Sequence, residues 1–149
     1  VRLRNVIVAA LAEKFLPLDG ITTIVGLAKS GMTWGAWLAQ STGLPYATVL
    51  LDGPRAGGLQ REIEGDVHGR RTALVDNWVS SGDSLQQAAS VVERHGGQVT
   101  AAVAVSGRVD SNLPFPVLLA FQLPHLLTAA AEGQLISAEE LKLLLANEN

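Results

Sequence analysis

The residues best suited to chemistry lie in TALVDNWVSSGDS, residues 72–84. A run of apolar residues meets an acid at Asp76, then Asn77, and breaks into Ser80-Ser81-Gly82-Asp83-Ser84 just before an apolar-periodic stretch. The first turn of a helix presents unpaired backbone N–H groups and a partial positive charge, so such a junction attracts phosphate. Gly82 permits close backbone approach, and the three serines supply hydroxyl donors. The plainer alternative is that Ser81 or Ser84 only caps the helix, and Asp83 would repel an anion unless it turned away. Other chemistries fail on specific residues. Gly26 to Gly31 has P-loop spacing, but Met32 stands where lysine is required. No G-x-G-x-x-G follows a strand and no G-x-S-x-G elbow occurs. His68, His95 and His125 lack paired-ligand spacing and read as surface or loop residues. Glu62, Glu64 and Asp66 alternate along an expected strand and read as a solvated face.

The elements that must position these residues alternate along the chain. Val6–Phe15 fits a helix stopped by Pro17, residues 21–26 a strand, and Met32–Gln40 a helix ending near Gly43. Residues 47–51 and 71–76 read as strands, 85–95 as a helix closed by Gly96 and Gly97, and 98–107 as a fourth strand. A short strand within 115–121 and a helix from Pro124 follow. Ser137 and Glu140 then form a capping box for a last helix. The strands are apolar on both faces, which predicts a mainly parallel sheet flanked by helices, an α/β fold in a single domain over 1–149. Residues 52–70, with five glycines, predict a mobile loop or a hairpin around Ile63–Val67, arching over the strand ends or inserted passively.

Composition limits the function classes. The 149 residues are 48% apolar and 17% charged, which suits one globular core. A net charge of −3 gives no bulk attraction to nucleic acid or to an anionic membrane. With no cysteine, thiolate metal sites and disulfides are excluded, and a cytoplasmic location is the expectation. The longest apolar stretch, Val117–Ala131, is interrupted by Gln122, Pro124 and His125, against a membrane span. The start lacks Met and a signal-peptide pattern, so the chain is read as processed or as a fragment.

The string from Thr72 to Ser84 resembles the phosphoribosyl-pyrophosphate (PRPP) motif of type I phosphoribosyltransferases. The likeness extends toward the orotate phosphoribosyltransferases. DGITTIVGLAKSGMTWGAWLA (19–39) is similar to that family's pyrophosphate-loop segment, and IEGDVHGRRTALVDN (63–77) to its hairpin running into the PRPP strand. SGRVD (106–110) followed by LPFPVLLAF (113–121) also resembles it, so the likeness covers about residues 19 to 145. It implies transfer of ribose 5-phosphate from PRPP, accompanied by Mg²⁺, to a pyrimidine base such as orotate, with release of pyrophosphate. By the same resemblance, Ser80, Ser81, Gly82, Asp83 and Ser84 hold the 5′-phosphate, and Asp76 with Asn77 forms the catalytic pair at the ribose. Ala28, Lys29 and Ser30 line the pyrophosphate, and Arg108 meets the carboxylated base. No protein-built metal site is implied, Mg²⁺ arriving with PRPP, and a homodimer is expected.

Several residues depart from the family pattern. Asn77 stands where the family has a second acid, and Trp78 where it has a small aliphatic residue. Residues 52–62 offer Arg55 and Arg61 where relatives carry lysines and a histidine, and the segment that helps form the base-binding hood in relatives is expected to be lacking ahead of Val1. Two readings follow: an active phosphoribosyltransferase, or a weak or inactive PRPP- or nucleotide-binding paralogue with a sensing or regulatory role.

Overall fold

The computed structural model describes residues 2–51, 61–109 and 112–146. Of the loop expected over 52–70, residues 52–60, including Arg55, lie outside the described residues, as does Asp110. Among the described residues the elements run α1 (Arg2–Phe15), β1 (Thr23–Ala28), α2 (Gly31–Thr42), β2 (Tyr46–Leu50), β3 (Ile63–Glu64), β4 (Arg71–Val79), α3 (Asp83–Arg94), β5 (Gln98–Gly107), β6 (Val117–Leu119), α4 (Leu123–Glu132) and α5 (Ala138–Ala146). The strands form one sheet in the order β3-β2-β1-β4-β5-β6. All neighbours are parallel except β2 and β3, which pair antiparallel. The expected α/β sheet flanked by helices is therefore the observed one.

Apolar residues on both faces of the strands explain the layering. On one face, Leu11 and Phe15 of α1 and Leu38 and Ala39 of α2 cover Ile24, Ala73, Val75 and Val103. On the other, Leu85, Ala88, Ala89 and Val92 of α3 cover Val25, Leu27, Leu74 and Ala102. Each buried Leu, Ile or Val contributes about 1.5–3 kcal/mol through removal of apolar surface from water. The helices end where the chain dictates: Gly43 closes α2 in the left-handed region at φ 72. At α5 the Ser137 hydroxyl accepts the Glu140 N–H at 3.1 Å, while the Glu140 carboxylate accepts the Ser137 N–H at 2.7 Å, the reciprocal box that the pattern predicts.

Four expectations change. β1 begins at Thr23 rather than Ile21. β4 continues past Asp76 to Val79, because Trp78 and Val79 keep parallel register with Ser106 and Gly107 of β5. The segment 63–67 is not a self-contained hairpin: only Ile63–Glu64 is extended, and it adds an antiparallel edge to β2 through Val49↔Ile63 and Thr48↔Glu64. The acids 62, 64 and 66 therefore do not line one strand face, and Glu62 instead takes the Arg94 guanidinium at 2.8 Å.

Candidate functional site

The strand order reverses direction next to β1. From β1 the chain moves outward to β2 and β3, then returns to place β4 on β1's other side. In open α/β sheets this switch point opens a crevice beyond the carboxyl ends of the two central strands. Two loops border it here: residues 28–30 after β1, and residues 80–82 after β4.

Asp76 faces this crevice from β4. It is 5% exposed, and among the described residues it is the one buried ionisable side chain. Burial pushes its carboxyl above the ordinary aspartate value; hydrogen bonds from the Ser30 hydroxyl and from the Asn77 backbone N–H oppose that rise. Ser30 Oγ donates to Asp76 Oδ1 at 2.8 Å, and the Asn77 N–H to the same oxygen at 2.7 Å. An acid held in a costly position within a strand has chemical capacity that a fold does not require. Asn77 is exposed, and Trp78 is 44% exposed beside it.

The second loop leads into α3. Gly82 is the N-cap residue at φ 84, a left-handed backbone that glycine alone adopts without strain, and it brings no side chain of its own to the cap. Of the two capping candidates, Ser81 accepts the Asp83 N–H only at a long 3.4 Å. Ser81 Oγ instead donates to Asp83 Oδ2 at 2.8 Å, which engages the acid that would otherwise face an anion. Asp76 and residues 78–85 enclose a small concavity of about 30 Å³. Ser80, Ser81, Asp83 and Ser84 are exposed around it. The larger concavity, about 570 Å³ between α1 and α2 near Arg4 and Trp37, lies away from these strand ends.

The first loop is pressed onto β4. The Ala28–Lys29 peptide bond is cis. A Cβ on Gly31 would lie 2.9 Å from the Asp76 Cα and collide with the Val75 carbonyl oxygen, so glycine is what lets α2 begin this close to β4. Lys29 is exposed and Ala28 half-buried. Arg108 reaches the same edge from β5. Its N–H donates to the Val79 carbonyl at 2.8 Å, and Gly107 at φ 142 leaves no room for a side chain against Val79. The structure thus brings residues 28–30, 76–77, 80–84 and 108 to one edge of the sheet.

Sequence reasoning missed two supports. It gave Ser30 to an anion, whereas its hydroxyl is bonded to Asp76. It also passed over Tyr46, whose hydroxyl donates to the Met32 carbonyl at 2.8 Å and accepts from Thr48 Oγ1 at 2.9 Å, bracing the start of α2. Burial raises the Tyr46 phenol against the lowering effect of Thr48. The available signal was Gly26 and Gly35, whose missing side chains make room for the tyrosine ring. His68, His95 and His125 are all exposed. Among the described residues no three His, Cys, Asp or Glu side chains come together as a metal site. Among them, too, no helix is long and apolar enough to cross a membrane.

Comparison with known proteins places this geometry. No protein-family profile matches the chain. An orotate phosphoribosyltransferase of Lactiplantibacillus plantarum is 32% identical over 142 residues, covering 90% of this chain and 66% of its own length. The UMP synthase of Leishmania donovani superposes with a TM-score of 0.76 at 20% identity, over 95% of this chain and 33% of that one. The orotate phosphoribosyltransferase of Aeropyrum pernix gives 0.70 at 20% identity, over 85% of this chain and 75% of that one. The chain spans about two thirds or less of the curated relatives it matches, down to 44% of one from Sulfurisphaera tokodaii. The chain belongs to the type I phosphoribosyltransferase family, with its sequence relatives among the orotate phosphoribosyltransferases.

Proposed function

We propose that the protein transfers ribose 5-phosphate from PRPP to a pyrimidine base, orotate, and releases pyrophosphate. The observation that carries this reading is the buried Asp76 carboxylate beside the glycine-started N-terminus of α3 at the β1–β4 switch point. The two features suit two ends of one ligand: a ribose whose hydroxyls donate to a carboxylate, and a 5′-phosphate received by backbone N–H groups. Ser80, Ser81, Gly82 and Ser84 hold that phosphate, while Asp83 stays turned to Ser81. Ala28 and Lys29 line the pyrophosphate, Lys29 supplying charge. Arg108 presents a guanidinium fork to the carboxylate of the base.

In the transfer, the bond from the anomeric carbon to pyrophosphate breaks, and its electron pair leaves with the diphosphate. A ring nitrogen of the base forms the new bond and gives up its proton to water. Positive charge spreads over the ribose as the bond lengthens, and the Asp76 carboxylate beneath it stabilises that charge. Mg²⁺ carried on the diphosphate would neutralise part of the leaving group's charge. A single carboxylate at Asp76, with neutral Asn77 beside it, fits a cation bound chiefly by the ligand. A homodimer and a cytoplasmic location are part of the same proposal, by the family resemblance and the cysteine-free composition.

The neutral, exposed Asn77 is the observation that favours the second reading, a PRPP- or nucleotide-binding paralogue with little turnover. Incubation with orotate, PRPP and Mg²⁺ separates the two. Formation of orotidylate and pyrophosphate in equal amounts is expected. PRPP binding without product would select the paralogue, and no PRPP binding would overturn both.

A further inference from the structure

Ser30 stands between two parts of the site. As one of residues 28–30 it borders the pyrophosphate, yet a serine hydroxyl has one proton to donate, and that proton goes to Asp76 Oδ1 at 2.8 Å. The Asn77 N–H donates to the same oxygen. Among the described residues both donors fall on Oδ1. Gly31, the next residue, seats the loop against Val75 and Asp76 and so brings the Ser30 backbone close to β4. The bond joins residues 46 positions apart. It also opposes the burial that pushes the Asp76 carboxyl up, and so favours the ionised form that a ribose needs.

We propose that Ser30 is a positioning residue for Asp76: its hydroxyl serves the ribose-binding carboxylate, not the pyrophosphate, and fixes the rotamer that aims Oδ2 at the ribose. This rests on the function proposed above, and it separates two roles that sequence position alone would merge. A pyrophosphate donor and a carboxylate holder respond differently to ligands that carry only one part of PRPP.

The test compares wild type, Ser30→Ala and Ser30→Thr by calorimetric titration with three probes: PRPP, ribose 5-phosphate and inorganic pyrophosphate. Ser30→Ala should weaken PRPP and ribose 5-phosphate alike, by about tenfold near neutral pH, and leave pyrophosphate unchanged. Ser30→Thr, which keeps the hydroxyl, should restore both. In the ligand-free proteins, carbon NMR of the Asp76 carboxyl should show its titration moving to higher pH in Ser30→Ala and returning in Ser30→Thr. Loss of pyrophosphate and PRPP binding with ribose 5-phosphate unchanged would overturn the proposal, as would an unmoved Asp76 titration. Wild-type protein that bound neither PRPP nor ribose 5-phosphate would overturn the proposed function instead, and the NMR comparison would still decide whether Ser30 governs Asp76.

Discussion

The two loops at the β1–β4 crevice are built in opposite ways. Residues 28–30 are held from behind: Gly31 seats them on the β4 backbone, Tyr46 braces the helix that follows, and the Ser30 hydroxyl is committed to Asp76. Residues 80–84 are left open: Gly82 starts α3 in a left-handed turn, Ser81 Oγ takes the Asp83 N–H only at a long 3.4 Å, and the polar side chains around the turn are exposed. A closed loop can hold an acid at a fixed angle, while an open one keeps its backbone donors for an anion. Rigid support and unmet donors are complementary requirements for a ligand with hydroxyls at one end and phosphate at the other.

The comparison breaks most severely at Asp76, which the closed loop exists to hold. Asp76→Asn keeps an oxygen able to accept from Ser30 and from the Asn77 N–H, so the fold should persist. PRPP binding and turnover should fall by about a hundredfold or more, since charge-assisted bonds to ribose hydroxyls are lost. The same change should stabilise the fold. A carboxyl whose folded value is raised gives stability that is fully present below its unfolded value and is lost as pH rises through the folded value. The Tm of Asp76→Asn should therefore exceed that of wild type at neutral pH, and the gap should close below the ordinary aspartate range, near pH 4. Thermal melts from about pH 3 to about pH 8 check this; a gap that widened on acidification would have the wrong sign.

Next in size is Arg108, which reaches the edge from β5. Arg108→Ala should weaken orotate or orotidylate about ten- to thirtyfold, a discounted value for an exposed cation, with PRPP nearly unaffected. Equal weakening of both ligands, or of neither, would make Arg108 structural.

The open loop is tested at Gly82. Gly82→Ala places a side chain at φ 84, which costs about 1–2 kcal/mol and lowers Tm by a few degrees. Inorganic phosphate and ribose 5-phosphate should each bind about fivefold more weakly, whereas an unchanged phosphate affinity would place the anion elsewhere. The smallest effect is expected at Asn77. Asn77→Asp adds a charge next to Asp76 and should raise Mg²⁺–PRPP affinity about threefold, measured by calorimetry. No change in either affinity or rate would remove this position from the mechanism.

Much of this arrangement was legible in the sequence, for identifiable reasons. The strand 98–107 was found to the residue because its apolar centre, Ala101–Val105, is framed by Gly97 on one side and by Gly107 and Arg108 on the other. The acid and the serine-glycine turn stand together in sequence, so local pattern was enough to bring Asp76 and residues 80–84 into one site. Asp76 was taken as a strand end because charge ordinarily marks one; the partner strand, which local pattern cannot see, carries β4 three residues farther. Ser30 gave no sign of its bond to Asp76 for the same reason. Its partner is remote in sequence, and only the parallel pairing of β1 with β4 makes them neighbours. The edge strand at Ile63–Glu64 likewise owes its existence to β2 rather than to its own two residues.

The central claim, that the closed and open loops grip the two ends of one ligand, is tested most directly by a crystal structure with ribose 5-phosphate bound. The 5′-phosphate should sit within about 3 Å of backbone N–H groups of residues 80–84, with the ribose hydroxyls on Asp76 Oδ2 and the Ser30–Asp76 bond intact. A phosphate bound away from residues 80–84, or a ribose that left Asp76 untouched, would contradict the account.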